Sequence, residues 1–153
     1  MMVRRYSPED LPAMLALFGR SVRELASRDY APEQVAAWAP ELPDVDGWSR
    51  RLSNQMVFVC ENQGQIAGFA SVESDGHLDL LYVHPEAQRR GEASVLWACI
   101  LEWATASKLT NVSTEASITA RPFFERCGFR VVRSQTVQAR GVSMPNFRME
   151  RAL

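Results

Sequence analysis

The stretch "VHPEAQRRGEASVL", residues 83–96, places reactive residue types where a strand gives way to a helix. A helix start exposes unpaired N–H groups and the positive end of the helix dipole, and together these attract an anion. A glycine there lets the anion approach the backbone closely, and arginines add charge and fork-shaped donors. Gln88, Arg89, Arg90, Gly91, Glu92 and Ala93 supply such a turn, for which a pyrophosphate is the natural guest. The dinucleotide fingerprint G-x-G-x-x-G and the phosphate loop G-x-x-x-x-G-K-[ST] are both absent. Local chemistry alone therefore leaves two readings, a phosphate-binding turn and a plain helix-start loop.

The elements that must position this turn follow from periodicity. "MVRRY" reads as a first strand, and "SPEDLPAMLALFGRSVRELA" as one helix. Ser7 suits its cap, Pro8 its first position, and Asp10 a capping-box contact. Leu11, Met14, Leu15, Phe18, Val22 and Leu25 recur at helical spacing. "APEQVAAWAP" and "DVDGWSRRLS" are two shorter helices. "MVFVCE", "GQIAGFASVES" and "GHLDLLYV" are strand-like runs joined by Asn62-Gln63-Gly64 and Asp75-Gly76, which predicts consecutive antiparallel strands. After the arginine turn come a buried helix, "EASVLWACILEWATASK", and a strand, "TNVSTEA". A short helix, "TARPFFERCG", ends at Gly128. Two strands, "FRVVRSQTVQA" and "NFRMERAL", close the chain around Arg140-Gly141. The order predicts an α/β fold, a mixed, partly antiparallel sheet with flanking helices, in a single domain over residues 1–153.

Composition narrows the function classes. A net charge of −1 over 153 residues offers no basic footprint for nucleic acid and no attraction to an anionic membrane. The three cysteines, Cys60, Cys99 and Cys127, are far apart, which argues against a disulfide framework and a cysteine-rich metal site. Cys60 and Cys99 sit in apolar runs and read as core residues. The first residues lack the apolar stretch of a signal peptide, so a reducing, cytoplasmic location is expected. No feature of the sequence specifies an oligomeric state.

With "QRRGEA" directly after a strand and "SITARPFFERCGF" downstream, the chain resembles the GNAT superfamily of N-acetyltransferases. "QRRGEA" matches that family's Q/R-x-x-G-x-G/A motif, placed after a strand as the motif requires. "SITARPFFERCGF" is similar to the family segment N-x-x-A-x-x-F-Y-x-x-x-G-F, with Ala120, Phe123, Gly128 and Phe129 in place. The order of elements corresponds over nearly the whole chain. The resemblance implies an acetyltransferase that moves an acetyl group from acetyl-CoA to a primary amine by direct attack in a ternary complex. The turn's backbone amides would hold the pyrophosphate. The strand "HLDLLYV" would splay from "NVSTEA", and the pantetheine arm would bond to backbone around Leu81, Tyr82 and Val83. Ser117 stands where the family usually has Asn. Phe124 stands in place of the tyrosine that protonates the departing thiolate. Glu92 brings a carboxylate near the expected phosphates. Phe124 and Ser117 motivate an alternative, a non-catalytic acyl-CoA-binding or regulatory module.

Transfer to an amine requires its unprotonated form, and a lysine-like amine has a pKa of about 10.4. Strand alternation predicts His77, Asp79, Leu81 and Val83 on one face, with Leu78, Leu80 and Tyr82 on the other. Asp79, Glu73 and His77 are the candidate bases, directly or through water. Tyr30, Trp38 and Trp48 read either as packing or as an aromatic wall for the acceptor. Cys127 is not expected to act as a nucleophile, since direct attack requires none.

Overall fold

The computed structural model describes residues 1–87 and 90–153, so the expectations for Gln88 and Arg89 lie outside the described residues. Seven strands form one sheet: β1 (Met2–Arg5), β2 (Met56–Asn62), β3 (Gln65–Val72), β4 (His77–Val83), β5 (Asn111–Ser117), β6 (Arg130–Ala139) and β7 (Val142–Ala152). Their spatial order is β1-β2-β3-β4-β5-β7-β6. Every neighbouring pair is antiparallel except β4 and β5, which run parallel. The helices α1 (Leu11–Glu24), α2 (Pro32–Trp38) and α3 (Val45–Ser53) precede β2, whereas α4 (Glu92–Ala106) and α5 (Arg121–Arg126) flank β5 in the chain. No helix among the described residues is long and apolar enough to cross a membrane.

The sheet separates two cores. One packs Met14, Phe18, Val22 and Leu52 against Val59, Phe69 and Leu80. The other packs Leu96, Trp97 and Ile100 of α4, with Phe124 and Phe129, against Val72, Leu78, Val112 and Met149. Cys60 is buried in the second core, whereas Cys99 is only half-buried on α4. All three cysteines are free.

Two boundaries differ from expectation for backbone reasons. The first helix is preceded by a 3-10 turn, Pro8–Asp10. In α geometry the ring of Pro12 would crowd the carbonyl of Pro8, and that carbonyl instead accepts the tighter bond from Leu11 N–H. The last strand starts at Val142 although Pro145 lies within it. Asn146 is the last β7 residue paired with β5, so Pro145 meets only β6 and its missing N–H breaks no ladder bond on the β5 side. Its carbonyl accepts the Tyr30 hydroxyl at 2.6 Å.

Asp10 ties the first helix to the sheet. It accepts the Ser7 backbone N–H at 2.8 Å, half of a capping box, and Arg4 at 2.8 and 2.9 Å. Arg4 also reaches Glu61 of β2 at 2.9 Å. The Arg4 hydrogen bond, together with the Ser7 N–H, holds the Asp10 carboxyl below its ordinary range despite burial. Its folded pKa is thus lower than its unfolded value. The stabilisation is present above the ordinary carboxylate range and is lost as pH falls through the folded value. Asp10→Asn is expected to lower the melting temperature by a few degrees at neutral pH and to flatten the acid limb of stability against pH. A melting series from neutral to acid pH checks this, and parallel acid limbs for both proteins would contradict it.

Candidate active site

The sheet opens between β4 and β5. Only His77↔Ser113 and Leu78↔Thr114 are paired, and beyond them the two strands separate. The closed end is well bonded. Ser113 N–H donates to the Gly76 carbonyl at 3.1 Å, Thr114 Oγ1 donates to the Leu78 carbonyl at 3.0 Å, and His77 Nδ1 lies 3.0 Å from Ser113 Oγ. Past Leu78, the β4 backbone has no strand partner on its β5 side, so its donors and acceptors there are free for another chain-like partner.

A bulge in β4 corrects the expected alternation. Ser71 opposes Leu80 and Val72 opposes Leu78, which leaves Asp79 as an extra residue. Leu80 and Tyr82 therefore join the α1–α3 core, and Asp79 reaches α3 on that same side. Leu78 and Leu81 join the α4 core, and Val83 lies beside Leu96 over Gly68. Asp79 and Leu81 do not share a face.

Two cavities meet at this bulge. A cleft of about 490 Å³ is lined by Leu78, Asp79, Leu81, Tyr82 and Val83 of β4, by β5 from Thr114 to Ser117, by Gly91, Glu92, Ala93 and Ser94 at the start of α4, and by Phe123 and Phe124. A second cavity, about 690 Å³, is lined by Leu15 and Phe18 of α1, Trp48 and Arg51 of α3, Leu80, and Arg140 in the β6–β7 turn. Trp38, Asp79 and Tyr82 line both. Trp38 and Trp48 both line the second cavity and also pack against the α1–α3 core. Tyr30 is instead a buried tie, its hydroxyl accepting Ile118 N–H at 3.0 Å and donating to Pro145.

Of the three candidate bases, only Asp79 reaches these cavities. His77 is spent at the closed end of the cleft, and Glu73 sits in the β3–β4 turn, lining neither cavity. Asp79 accepts Arg51 at 2.6 and 2.7 Å and Gln55 Nε2 at 2.8 Å. Burial pushes its pKa up, but the bonds from Arg51 and Gln55 and the Arg51 charge outweigh burial, so its carboxyl lies below the ordinary range. Tyr82 accepts Trp38 Nε1–H at 3.2 Å, and burial raises its phenol to about 12. The sequence had marked Tyr82 for its backbone only. The signal for its hydroxyl is tertiary, the approach of Trp38 from α2.

Of the turn residues, Gly91, Glu92 and Ala93 lie at the start of α4 and line the cleft. Gly91 caps α4 with φ +96°, in the left-handed region, and among the described residues a Cβ there would meet nothing within 4 Å. Arg90 is exposed. Glu92 departs from expectation. Its side chain is 1 % exposed and turned to Asn62 of β2, whose amide lies 3.4 Å from Oε1. A carboxylate placed there is withdrawn from the solvent-facing turn. Ser117 Oγ accepts Ala120 N–H at 3.0 Å and thereby shapes the entry to α5. Phe124 is buried against Phe123 and Phe129 and brings no proton to the cleft.

The sheet thus parts between two parallel strands, with a left-handed glycine at the helix start beside the gap. Residues 26–151 match the family model of the acetyltransferase (GNAT) domain. The Escherichia coli (strain K12) protein called "Uncharacterized N-acetyltransferase YafP" is 40% identical over 147 residues, 96% of this chain and 93% of its own. A GCN5-related N-acetyltransferase from Rhodopseudomonas palustris superposes with a TM-score of 0.96 at 33% identity, covering 99% of this chain and 95% of that one. The PaiA N-acetyltransferase of Thermoplasma acidophilum, solved in complex with coenzyme A, shares the fold with a TM-score of 0.80 at 16% identity, covering 99% and 98%. The chain belongs to the GNAT superfamily of acetyltransferases.

Proposed function

We propose that this protein moves an acetyl group from acetyl-CoA to a primary amine by direct attack, with both substrates bound together. The observation that carries the proposal is the wall shared by the two cavities, formed by Trp38, Asp79 and Tyr82. A thioester lying in the β4–β5 cleft and an amine entering through the second cavity meet there. The unpaired β4 backbone suits a pantetheine arm, and its N–H groups beyond the bulge suit the developing oxyanion. The helix start at Gly91 suits the pyrophosphate.

In the reaction the nitrogen lone pair forms the C–N bond, the C–S bond breaks, and one proton passes from nitrogen to sulfur. The Tyr82 hydroxyl is the group placed to carry it. Trp38 donates to its oxygen, so its own proton is uncommitted, and a phenol at about 12 stays neutral at working pH. It can give that proton to sulfur while taking one from nitrogen, which avoids a free phenolate and replaces the tyrosine absent at position 124. Asp79 is a weak proton acceptor because its carboxyl lies below the ordinary range. Its role is a fixed negative charge, held by Arg51 and Gln55, that draws the amine's positive charge to the shared wall.

Release of free thiol from acetyl-CoA with a panel of amines tests this reading. Tyr82→Phe is expected to lower kcat by about 10²-fold with coenzyme affinity retained. Asp79→Asn is expected to raise the amine KM by roughly tenfold. It should keep the rise of rate with pH, because the charge of Asp79 does not change across the neutral range. Coenzyme binding without thiol release for any amine would instead identify a non-catalytic coenzyme-binding module, a reading that Phe124 favours.

A further inference from the structure

Arg23 and Arg140 come from distant parts of the chain and converge on one end of the second cavity. Arg23 Nη1 donates to the Ala39 carbonyl at 3.2 Å, and Arg140 Nη1 donates to the Ala37 carbonyl at 2.7 Å. Both guanidiniums are therefore anchored on either side of Trp38, at the C-terminal end of α2. Arg23 folds back over Gly19, where any side chain would collide with its guanidinium. Arg140 occupies the left-handed region at φ +48°, uncommon for a residue with a side chain. Capping the helix end uses one N–H of each fork, and a guanidinium carries several more. Among the described residues, neither arginine forms an ion pair.

The carboxylates of this cavity are placed differently. Asp79 is held by Arg51 and Gln55 at the shared wall, and Asp44 accepts Gly47 N–H at the start of α3. Glu41 is exposed at the rim. The same cavity is lined by the Trp38 indole and the rings of Phe18, Trp48 and Tyr82. Trp38 measures the gap. Its Nε1 touches Tyr82 at the reacting end, and its backbone neighbours hold the arginines at the other.

We infer that the acceptor is an amine carrying a carboxylate, with the two groups separated by an apolar, ring-bearing body about as long as an indole. This inference rests on the reading of the second cavity as the acceptor site. The amine lies at Asp79 and Tyr82, the ring packs against the aromatic wall, and the carboxylate takes the paired forks of Arg23 and Arg140. A carboxylate directly beside the amine, as in an α-amino acid, is too close to span the two ends.

The test compares 4-(2-aminoethyl)benzoate with 2-phenylethylamine, which differ by the carboxylate alone, and adds phenylalanine and a para-aminomethyl analogue as a diamine. The expected result is a kcat/KM at least about tenfold higher for the benzoate than for phenylethylamine, phenylalanine or the diamine. The doubly substituted Arg23→Ala, Arg140→Ala protein should bring the benzoate to phenylethylamine ratio near unity, and Arg140→Lys should restore part of it. Calorimetry with the N-acetylated products supplies a readout independent of turnover, with tighter binding of the acetylated benzoate in the natural protein and loss of that preference in the double variant. Equal binding of the two products, a preference that survives the double substitution, or a preference for the diamine through Glu41 and Asp44 would each overturn the inference. A product preference without any turnover would overturn the catalytic reading while leaving the ligand class standing.

Discussion

Gly76→Ala is expected to destabilise the protein by about 3–5 kcal/mol, combining left-handed strain with a collision in a packed site. Gly76 has φ +94°, and a Cβ there would lie 2.7 Å from the Asn111 carbonyl oxygen and 3.3 Å from Leu109 Cδ1. The strain accounts for about 1–2 kcal/mol. The rest arises because the obstacle is backbone at the first residue of β5 and cannot rotate away. Nor can Gly76 itself move freely, since its N–H donates to Glu73 at 3.0 Å and its carbonyl accepts from Ser113 at 3.1 Å. A fall in melting temperature on the order of 10 °C or more is expected for a domain of this size. Gly64→Ala is the control, because Gly64 has φ +77° with nothing within 4 Å of a Cβ and so reports strain alone. Equal losses for the two variants would show that the contact at Asn111 yields. Gly76 also sits at the closed end of the cleft, beside the two residue pairs that join β4 to β5. A folded Gly76→Ala protein should therefore bind coenzyme less well, although Gly76 lies far along β4 from the phosphate turn.

Gly91→Val is expected to have the opposite profile, a large loss of coenzyme affinity with a smaller loss of stability. Among the described residues no atom lies within 4 Å of a Cβ at Gly91, so the φ of +96° is the penalty they place on the folded state. That penalty is about 1–2 kcal/mol, and greater for a β-branched residue. The open space is where an anion would meet the first N–H groups of α4, and a valine side chain fills it. Affinity for acetyl-CoA should fall by roughly 10- to 100-fold, the size of effect expected when charge-assisted bonds worth about 1.5–3 kcal/mol are lost. Calorimetric titration gives the affinity directly. The natural protein should also gain about 2.7 kcal/mol of stability at a coenzyme concentration near 100 times Kd, and Gly91→Val should gain much less at that concentration. Unchanged affinity in a folded Gly91→Val protein would remove the phosphate role from this turn.

Much of the fold was legible along the chain because its signals are local. Helical spacing from Leu11 to Leu25 marked the first helix, and Gln63-Gly64 and Asp75-Gly76 marked the hairpin turns between β2, β3 and β4. The turn at Gly91 carried its chemistry in neighbouring residues, so strand, glycine and helix start could be read together. The parting of β4 from β5 came from family resemblance, and the two-pair junction displays it.

What only the tertiary structure decided concerns register and distant partners. One extra residue at Asp79 reversed the facing of everything after it, because strand periodicity is two and no local signal marks which residue bulges. Asp79 was a candidate base from its place in the strand, and only the fold brings Arg51 and Gln55, on and just after a helix that precedes the sheet, to bond its carboxylate. Glu92 looked like an obstacle to phosphate until burial turned it to Asn62. The Tyr82 hydroxyl and the pairing of Arg23 with Arg140 emerge only when α2 folds over the sheet, since Trp38 and its neighbouring carbonyls create both. Local sequence determined the elements and the phosphate turn through backbone preferences that act over a few residues. Tertiary structure determined which charges are satisfied and which remain free, because burial and pairing join residues that the chain itself keeps far apart.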